Sequence, residues 1–290
     1  MKQEVYEALP QRLKDAYNYY CISDKIDGLG MDKIILEKEN DIQVDKFLNE
    51  LDSAELFYEY GLTNINKILC YGASGTGKTF LAKCLAAHCD YELITLDIAN
   101  IIGSQNAYKE LATVFELANH IGRAVIFLDE CDAIARQRGS LNNAPEIRML
   151  INGLFKLIDN VDKRCICMAA TNLEEQLDLA FIRRFDLKLK FNRPNVEFID
   201  DAIQKFINPK FEYIEDANEK TRNALMWALK SYTNLSFAEI EIWVQRAEKV
   251  ALMEQRFTIT QNEVYEYMLH NLHFSIHDGP FGEYVFQTGG

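Results

Sequence analysis

The sequence predicts an α/β fold: a parallel sheet flanked by helices, followed by a small α-helical domain. Three observations carry that expectation. Between residues 67 and 191, short apolar runs alternate with segments of helical period. Those runs are continuous rather than alternating apolar and polar, as strands buried on both faces require. After Pro194 only helical periodicity continues.

The elements follow in chain order. Residues 1–40 mix aromatic and charged side chains and read as an N-terminal helical appendage. The α/β domain is placed at 41–193. It opens with a helical stretch over 41–60 carrying Val44, Phe47, Leu48 and Leu51. Strands are expected at 67–71, 92–96, 124–128, 165–169 and 187–191, with helical patterns such as 108–121 and 146–159 between them. Four more helices are expected at 196–207, 219–232, 237–255 and 261–272, forming a helical domain over 194–272. Ser236 and Glu239 make a capping box for the third of these. Residues 273–290, with scattered Gly, Pro and aromatics, read as an irregular C-terminal tail.

Composition narrows the class. The chain has 290 residues, 48% hydrophobic and 26% charged, as a globular protein with a sizeable core does. A formal net charge of −13, with no basic stripe, argues against a nucleic-acid partner. The opening MKQEVYEALPQRLK carries no apolar signal-peptide core, and no apolar run is long enough for a membrane span. Seven cysteines, mostly inside apolar runs, read as small buried hydrophobes in a reducing, cytoplasmic setting. Cys165 and Cys167 share a strand face, yet no second pair or His cluster completes a metal site around them.

The chemistry begins between the first strand and its helix. Gly72-Ala73-Ser74-Gly75-Thr76-Gly77-Lys78-Thr79 matches GxxxxGK[ST]. Glycines permit the turns that aim successive N–H groups at a phosphate, and the helix that follows adds its positive end. Lys78 is expected at the β- and γ-phosphates, and Thr79 at Mg²⁺. About fifty residues on, Ala124-Val-Ile-Phe-Leu runs directly into Asp129 and Glu130. Adjacent carboxylates at the end of a buried strand repel one another and desolvate poorly, and a cation offsets that cost. Asp129 is expected to hold Mg²⁺ through its water shell, and Glu130 to orient and deprotonate an attacking water.

With these two motifs in place, the sequence resembles the AAA family of ATPases within the AAA+ superfamily. Asp129-Glu-Cys-Asp-Ala-Ile-Ala-Arg-Gln-Arg138 is close to that family's acidic segment. Ala169-Ala-Thr-Asn172 is similar to its sensor-1 segment, and Leu177-Asp-Leu-Ala-Phe-Ile-Arg-Arg-Phe-Asp186 to its second region of homology. Ser236-Phe-Ala-Glu-Ile240 resembles the lid motif Ser-Gly-Ala-Asp-Ile. The resemblance runs from about Val44 to Asn271. It implies a P-loop domain with a helical lid, hydrolysis of ATP with Mg²⁺, and nucleotide held between the two domains and against the next subunit. Asn172 becomes sensor 1, Ala238 a nucleotide contact, and Arg183 and Arg184 the arginine fingers that reach a neighbouring subunit. The implied assembly is a homo-oligomeric ring, a hexamer by resemblance. Its work is to remodel, unfold or disassemble a protein substrate, with a separate peptidase or other effector as a further partner. A clamp-loader or transposition-regulator type, or a nucleotide-dependent assembly switch, are the alternatives.

The chain departs from the family pattern in places. Where the family has an aromatic–hydrophobic–Gly pore loop, this chain has Ile101-Ile102-Gly103. The two isoleucines are either an aliphatic grip on substrate or a core-facing pair. Arg183 and Arg184 are adjacent, without the Pro-Gly that often separates the two in the family, and which of them is the main finger stays open.

Overall fold

A computed structural model describes every residue except 1, 23–25, 27, 135–144, 174–176, 196–197, 232–234, 273, 279–283 and 289–290. Residues 135–138 of the acidic segment therefore lie outside the described residues. The chain divides into two compact units: residues 1–73 with 77–191, and residues 74–76 with 192–290.

In the first unit the elements are α1 (Lys2–Ala8), α2 (Gln11–Tyr20), α3 (Lys38–Asp52), α4 (Ala54–Glu59), β1 (Lys67–Gly72), α5 (Lys78–His88), β2 (Glu92–Asp97), α6 (Ile98–Ile102), α7 (Ala107–Ile121), β3 (Ala124–Asp129), α8 (Pro145–Asp159), β4 (Ile166–Thr171), α9 (Leu179–Ile182) and β5 (Leu187–Phe191). The five strands pair in parallel in the order β2-β3-β4-β1-β5. Each expected strand is present, β5 with the expected bounds and the other four differing by a residue or two at their ends.

Burial explains why the strands read as continuous apolar runs. Ile126, Leu128, Cys167 and Ala169 pack on one face, against α2, α7 and α8. Their sequence neighbours Val125, Phe127, Ile166 and Met168 pack on the other, against α3 and α5. Alternate side chains thus enter two different cores, and neither face can be polar. β5 is the exception: Leu187, Leu189 and Phe191 are buried while Lys188 and Lys190 are exposed, so one face is solvated.

Residues 1–40, expected as an appendage, instead pack into this unit. Leu9, Leu13 and Ala16 join the core beside α7, and Arg12 pairs with Glu116. Cys21 bridges Ile94 antiparallel, and Ile22 N donates to Leu93 O at 2.9 Å. The segment therefore covers the open edge of β2, whose unpaired amides would otherwise face solvent. The helix expected over 41–60 is broken at Ser53 into α3 and α4.

The second unit contains α10 (Ile199–Phe206), β6 (Glu212–Ile214), α11 (Glu219–Ser231), α12 (Phe237–Met253), β7 (Thr258–Thr260), α13 (Gln261–Asn271), β8 (Phe274–Asp278) and β9 (Tyr284–Thr288). Its helices bury Ile203, Ala228, Ile240, Val244, Val264 and Met268. Both capping boxes, Ser236 with Glu239 and Thr260 with Glu263, are formed. The Asp200 carboxylate accepts from Tyr265 and from Gln261 Nε2 (3.0 Å), and Arg222 lies 3.2 Å from it, so one half-buried acid ties three helices together.

The expectation that strands stop after Pro194 is corrected. β6 and β7 form a parallel pair, and β8 and β9 pair antiparallel where an irregular tail was expected. Strands of three residues are too short to display a period, and their pairing is a tertiary event.

Candidate active site

The strand order sets the geometry. β1 sits between β4 and β5, whereas the chain continues from β1 to β2 at the far edge and returns through β3 and β4. Such a reversal of winding opens a crevice at the carboxyl ends of the strands. Tyr71 lies beside Thr171, and Leu128 beside Ala169. The residues that follow β1, β3 and β4 therefore meet along one sheet edge: the glycine-rich loop, Asp129 with Glu130, and Asn172.

The loop leaves β1 at Gly72, where a glycine is obligatory. Its φ is +135°, and an added Cβ would stand 2.0 Å from the carbonyl oxygen of Phe191 on β5. Gly77, with φ +104°, turns the chain into α5. Lys78 is the first residue of that helix. Its side chain is buried, and Nζ donates to the carbonyls of Gly72 (2.8 Å) and Ala73 (2.6 Å). Burial pulls its pKa down, and the carboxylates of Asp129 and Asp132 partly offset that. Ser74, Gly75 and Thr76 cluster with the second unit, where the Ala238 amide donates to the Gly75 carbonyl at 3.4 Å.

Thr79 Oγ1 lies 3.4 Å from Asp129 Oδ2, and the Glu130 amide donates to Asp129 Oδ1 at 2.9 Å. Burial pushes the Asp129 carboxyl above the usual range, while these two bonds and Lys78 pull it back. Glu130 itself is exposed and holds φ at +53°, a left-handed conformation that costs a non-glycine residue about 1–2 kcal/mol. Cys131 N then rejoins the ladder by donating to Ala170 O at 2.9 Å.

A hydroxyl and one carboxylate are hard oxygen donors. They suit Mg²⁺, which takes few protein ligands and completes its shell with water and phosphate oxygens. Among the described residues no three His, Cys, Asp or Glu side chains converge as a metal centre of another kind. Cys165 and Cys167 are fully buried, with thiol pKa values pushed up to about 11 and about 12 by burial, as inert core residues are.

Asn172 follows the last residue of β4 and is exposed. Thr171 Oγ1 accepts from the Leu173 amide at 3.1 Å and turns the chain at Asn172.

Arg183 and Arg184 sit elsewhere. They precede Asp186, whose carboxylate accepts from Lys67 N (3.2 Å) at the start of β1. The glycine-rich loop leaves the other end of that strand, roughly 17 Å away at the rise of an extended chain. The structure thus does not bring the arginines to the loop of their own chain. Arg183 is exposed, whereas Arg184 lies on Phe155 and beside Asp159, contacts from α8 that nothing in the local sequence around the arginines announces.

Ile101 is 5% exposed and belongs to the core, with Ile102 packed against it. Of the two readings of that pair, the core-facing one holds. Asp97 caps α6, accepting from Asn100 N (3.0 Å), and winds the segment so that Ile98 and Ile101 face inward.

Comparison with known proteins agrees with this geometry. Residues 68–193 match the profile of the ATPase family associated with various cellular activities (AAA). An uncharacterised AAA family ATPase, y4kL, of Sinorhizobium fredii is 32% identical over 218 residues, 74% of this chain and 63% of the relative. Proteasome-activating nucleotidase 1 of Haloferax volcanii is 34% identical over 153 residues, 50% of this chain and 38% of that protein. The ATP-dependent zinc metalloprotease FtsH 1 of Alkaliphilus metalliredigens is 32% identical over 176 residues, 58% of this chain and 29% of that protein. The chain spans less than two thirds of the length of each of these relatives. No helix among the described residues is long and apolar enough to cross a membrane. A phosphate loop, an acidic strand end and a polar residue following the intervening strand, all on one edge of a five-stranded parallel sheet, carry the same assignment as the profile: residues 68–193 are an AAA-family ATPase domain.

Proposed function

We propose that this chain hydrolyses ATP with Mg²⁺ in a ring of identical subunits, a hexamer, and uses the cycle to remodel or unfold protein substrates in the cytoplasm. The observation that carries the proposal is the meeting of Thr79 with Asp129, 3.4 Å apart, beside a strained Glu130. Lys78 and the loop amides bind the β- and γ-phosphates. Thr79, and Asp129 through water, hold the metal, which neutralises phosphate charge when bound. Glu130 accepts the proton of the attacking water. Asn172 orients that water or the γ-phosphate, and Ala238 contacts the nucleotide. Arg183 and Arg184 serve the site of a neighbouring copy, because their own loop lies at the far end of β1. The proteasome-activating and FtsH relatives support a protein substrate, and the proteasome-activating relative supports a separate peptidase as partner. Free thiols throughout support a reducing compartment.

One observation favours a second reading. With Ile101 in the core, the segment expected to grip substrate keeps only the half-buried Ile102 as an apolar tip, which suits a nucleotide-dependent assembly switch. Steady-state ATP turnover with and without an unfolded protein decides. Substrate-stimulated turnover supports the motor, and slow turnover that tracks only assembly supports the switch. ATPase activity that survives Glu130→Gln overturns both.

A further inference from the structure

The two arginines of the Arg183-Arg184 pair are held in different ways. The Arg184 guanidinium carbon lies 4.3 Å from the centroid of the Phe155 ring. Its Nε is 3.1 Å from Asp159 Oδ1, and its Nη1 donates to the carbonyl of Ala180. One face of the guanidinium is thus stacked on α8 and Nη1 is hydrogen-bonded within α9 of its own chain, while Nε stands beside the Asp159 carboxylate as an ion pair without a hydrogen bond. A guanidinium recognises phosphate through a fork of two N–H groups, and the terminal fork of Arg184 has its Nη1 already bonded to Ala180.

Arg183 is exposed and ends α9, its amide donating to Leu179 O at 3.0 Å. Leu179, one turn earlier on the same helical face, is 67% exposed. The turn that carries Arg183 is anchored on both sides by buried aromatics, Phe181 and Phe185, whose ring centroids are 5.0 Å apart. Phe155 stands 5.8 Å from Phe181 and so joins the same wall on which Arg184 lies.

We propose that Arg183 alone presents its guanidinium to the nucleotide of a neighbouring copy. Arg184 is a positioning residue that, through Phe155 and Asp159, fixes the α9 turn from which Arg183 projects. The proposal rests on the reading that this pair acts in trans, and it divides the labour within the pair. A side chain already stacked and paired in its own subunit cannot reach across an interface without surrendering those contacts. Its neighbour has none of them to surrender. Phe155 and Asp159 thereby become part of the catalytic apparatus although neither touches nucleotide.

The test uses the full chain carrying Arg183→Ala, Arg184→Ala, Phe155→Leu or Asp159→Asn. Turnover per assembled particle, KM for ATP, nucleotide affinity, Tm and particle mass are measured for each. Arg183→Ala is expected to lower kcat at least about 10³-fold at unchanged nucleotide affinity. Arg184→Ala is expected to lower kcat by up to about 10²-fold with KM unchanged, as misplacement of a catalytic group does. Phe155→Leu and Asp159→Asn should give the same kcat-only defect, and neither should worsen Arg184→Ala when combined with it. A merely structural role for Arg184 would lower Tm or the assembled fraction and leave turnover per particle intact, which overturns the proposal. Loss on Arg184→Ala equal to or greater than on Arg183→Ala also overturns it. Mixing each arginine variant with Glu130→Gln subunits separates this from the underlying reading. If both variants are equally dead and both recover on mixing, action in trans stands and the division falls. If both retain wild-type turnover alone, or subunits exchange and neither recovers, action in trans itself falls.

Discussion

Thr79, in the first turn of α5, and Asp129, the last residue of β3, are fifty residues apart in sequence and stand 3.4 Å apart. The Thr79 hydroxyl donates to the carboxylate and favours its ionised form, but burial opposes it. The carboxyl of Asp129 is pushed up by burial, and the ammonium of Lys78 beside it is pushed down. Both ionised forms are therefore less comfortable here than in the unfolded chain, and a cation with a polyphosphate relieves both.

Asp129→Asn is expected to raise the Tm of the protein without nucleotide at neutral pH and to abolish the Mg²⁺ dependence of ATP binding. The sign follows from linkage. A carboxyl whose folded pKa lies above its unfolded value costs stability at pH above both, and that cost fades as pH falls through the folded value. The advantage of the asparagine variant should accordingly shrink on acidification. Thermal melts between neutral and mildly acidic pH check it, and an advantage that grows on acidification contradicts it.

Lys78→Ala is expected to weaken ATP binding by at least about 10²-fold. Two charge-assisted hydrogen bonds at about 1.5–3 kcal/mol each set that scale. Isothermal titration measures it directly, and unchanged affinity would remove Lys78 from the site.

Glu130→Gln should bind ATP normally and turn over roughly 10²–10⁴-fold more slowly, since the amide keeps the shape and loses the base. Glu130→Gly should be as inactive and yet more stable by about 1 kcal/mol, because glycine accepts the left-handed conformation that Glu130 endures at φ +53°. A melt and a phosphate-release assay on the two variants suffice. A glycine variant that is less stable than the parent sinks the strain argument.

Ile101→Ala should cost about 2–4 kcal/mol of stability, as truncation of a buried isoleucine does. Denaturant titration reads this out. A substitution that leaves stability untouched while abolishing substrate processing would return Ile101 to a channel-facing role.

The sequence by itself determined the parts whose physics is local. GASGTGKT is legible because a phosphate cradle is made by consecutive backbone amides, so eight neighbouring residues contain its chemistry. Asp129 and Glu130 are legible because two acids at the end of an apolar run repel each other, and a cation is what offsets that repulsion. Four of the five parallel strands are legible because burial on both faces keeps their runs largely apolar, and β5 by the alternation of Leu187, Leu189 and Phe191 with two lysines. The capping box of Ser236 with Glu239 is again local, a matter of four consecutive residues.

Only the tertiary structure decided what each apolar face would meet. Leu9, Leu13 and Ala16 mark an amphipathic helix, but nothing near them says that it packs beside α7 or that the residues after it cap the edge of β2. Ile101 and Ile102 occupy a stretch where the family has a protruding loop, and the Asp97 cap winds them into the core instead. β6 and β7 each need the other, some forty residues away, to be strands at all. Arg183 and Arg184 are identical letters, and only the position of Phe155 and Asp159 on α8 makes one a clamp and leaves the other exposed. The reason is common to all four. Periodicity reports that a surface is apolar or a side chain charged, whereas its partner is chosen by burial and pairing summed over the whole chain.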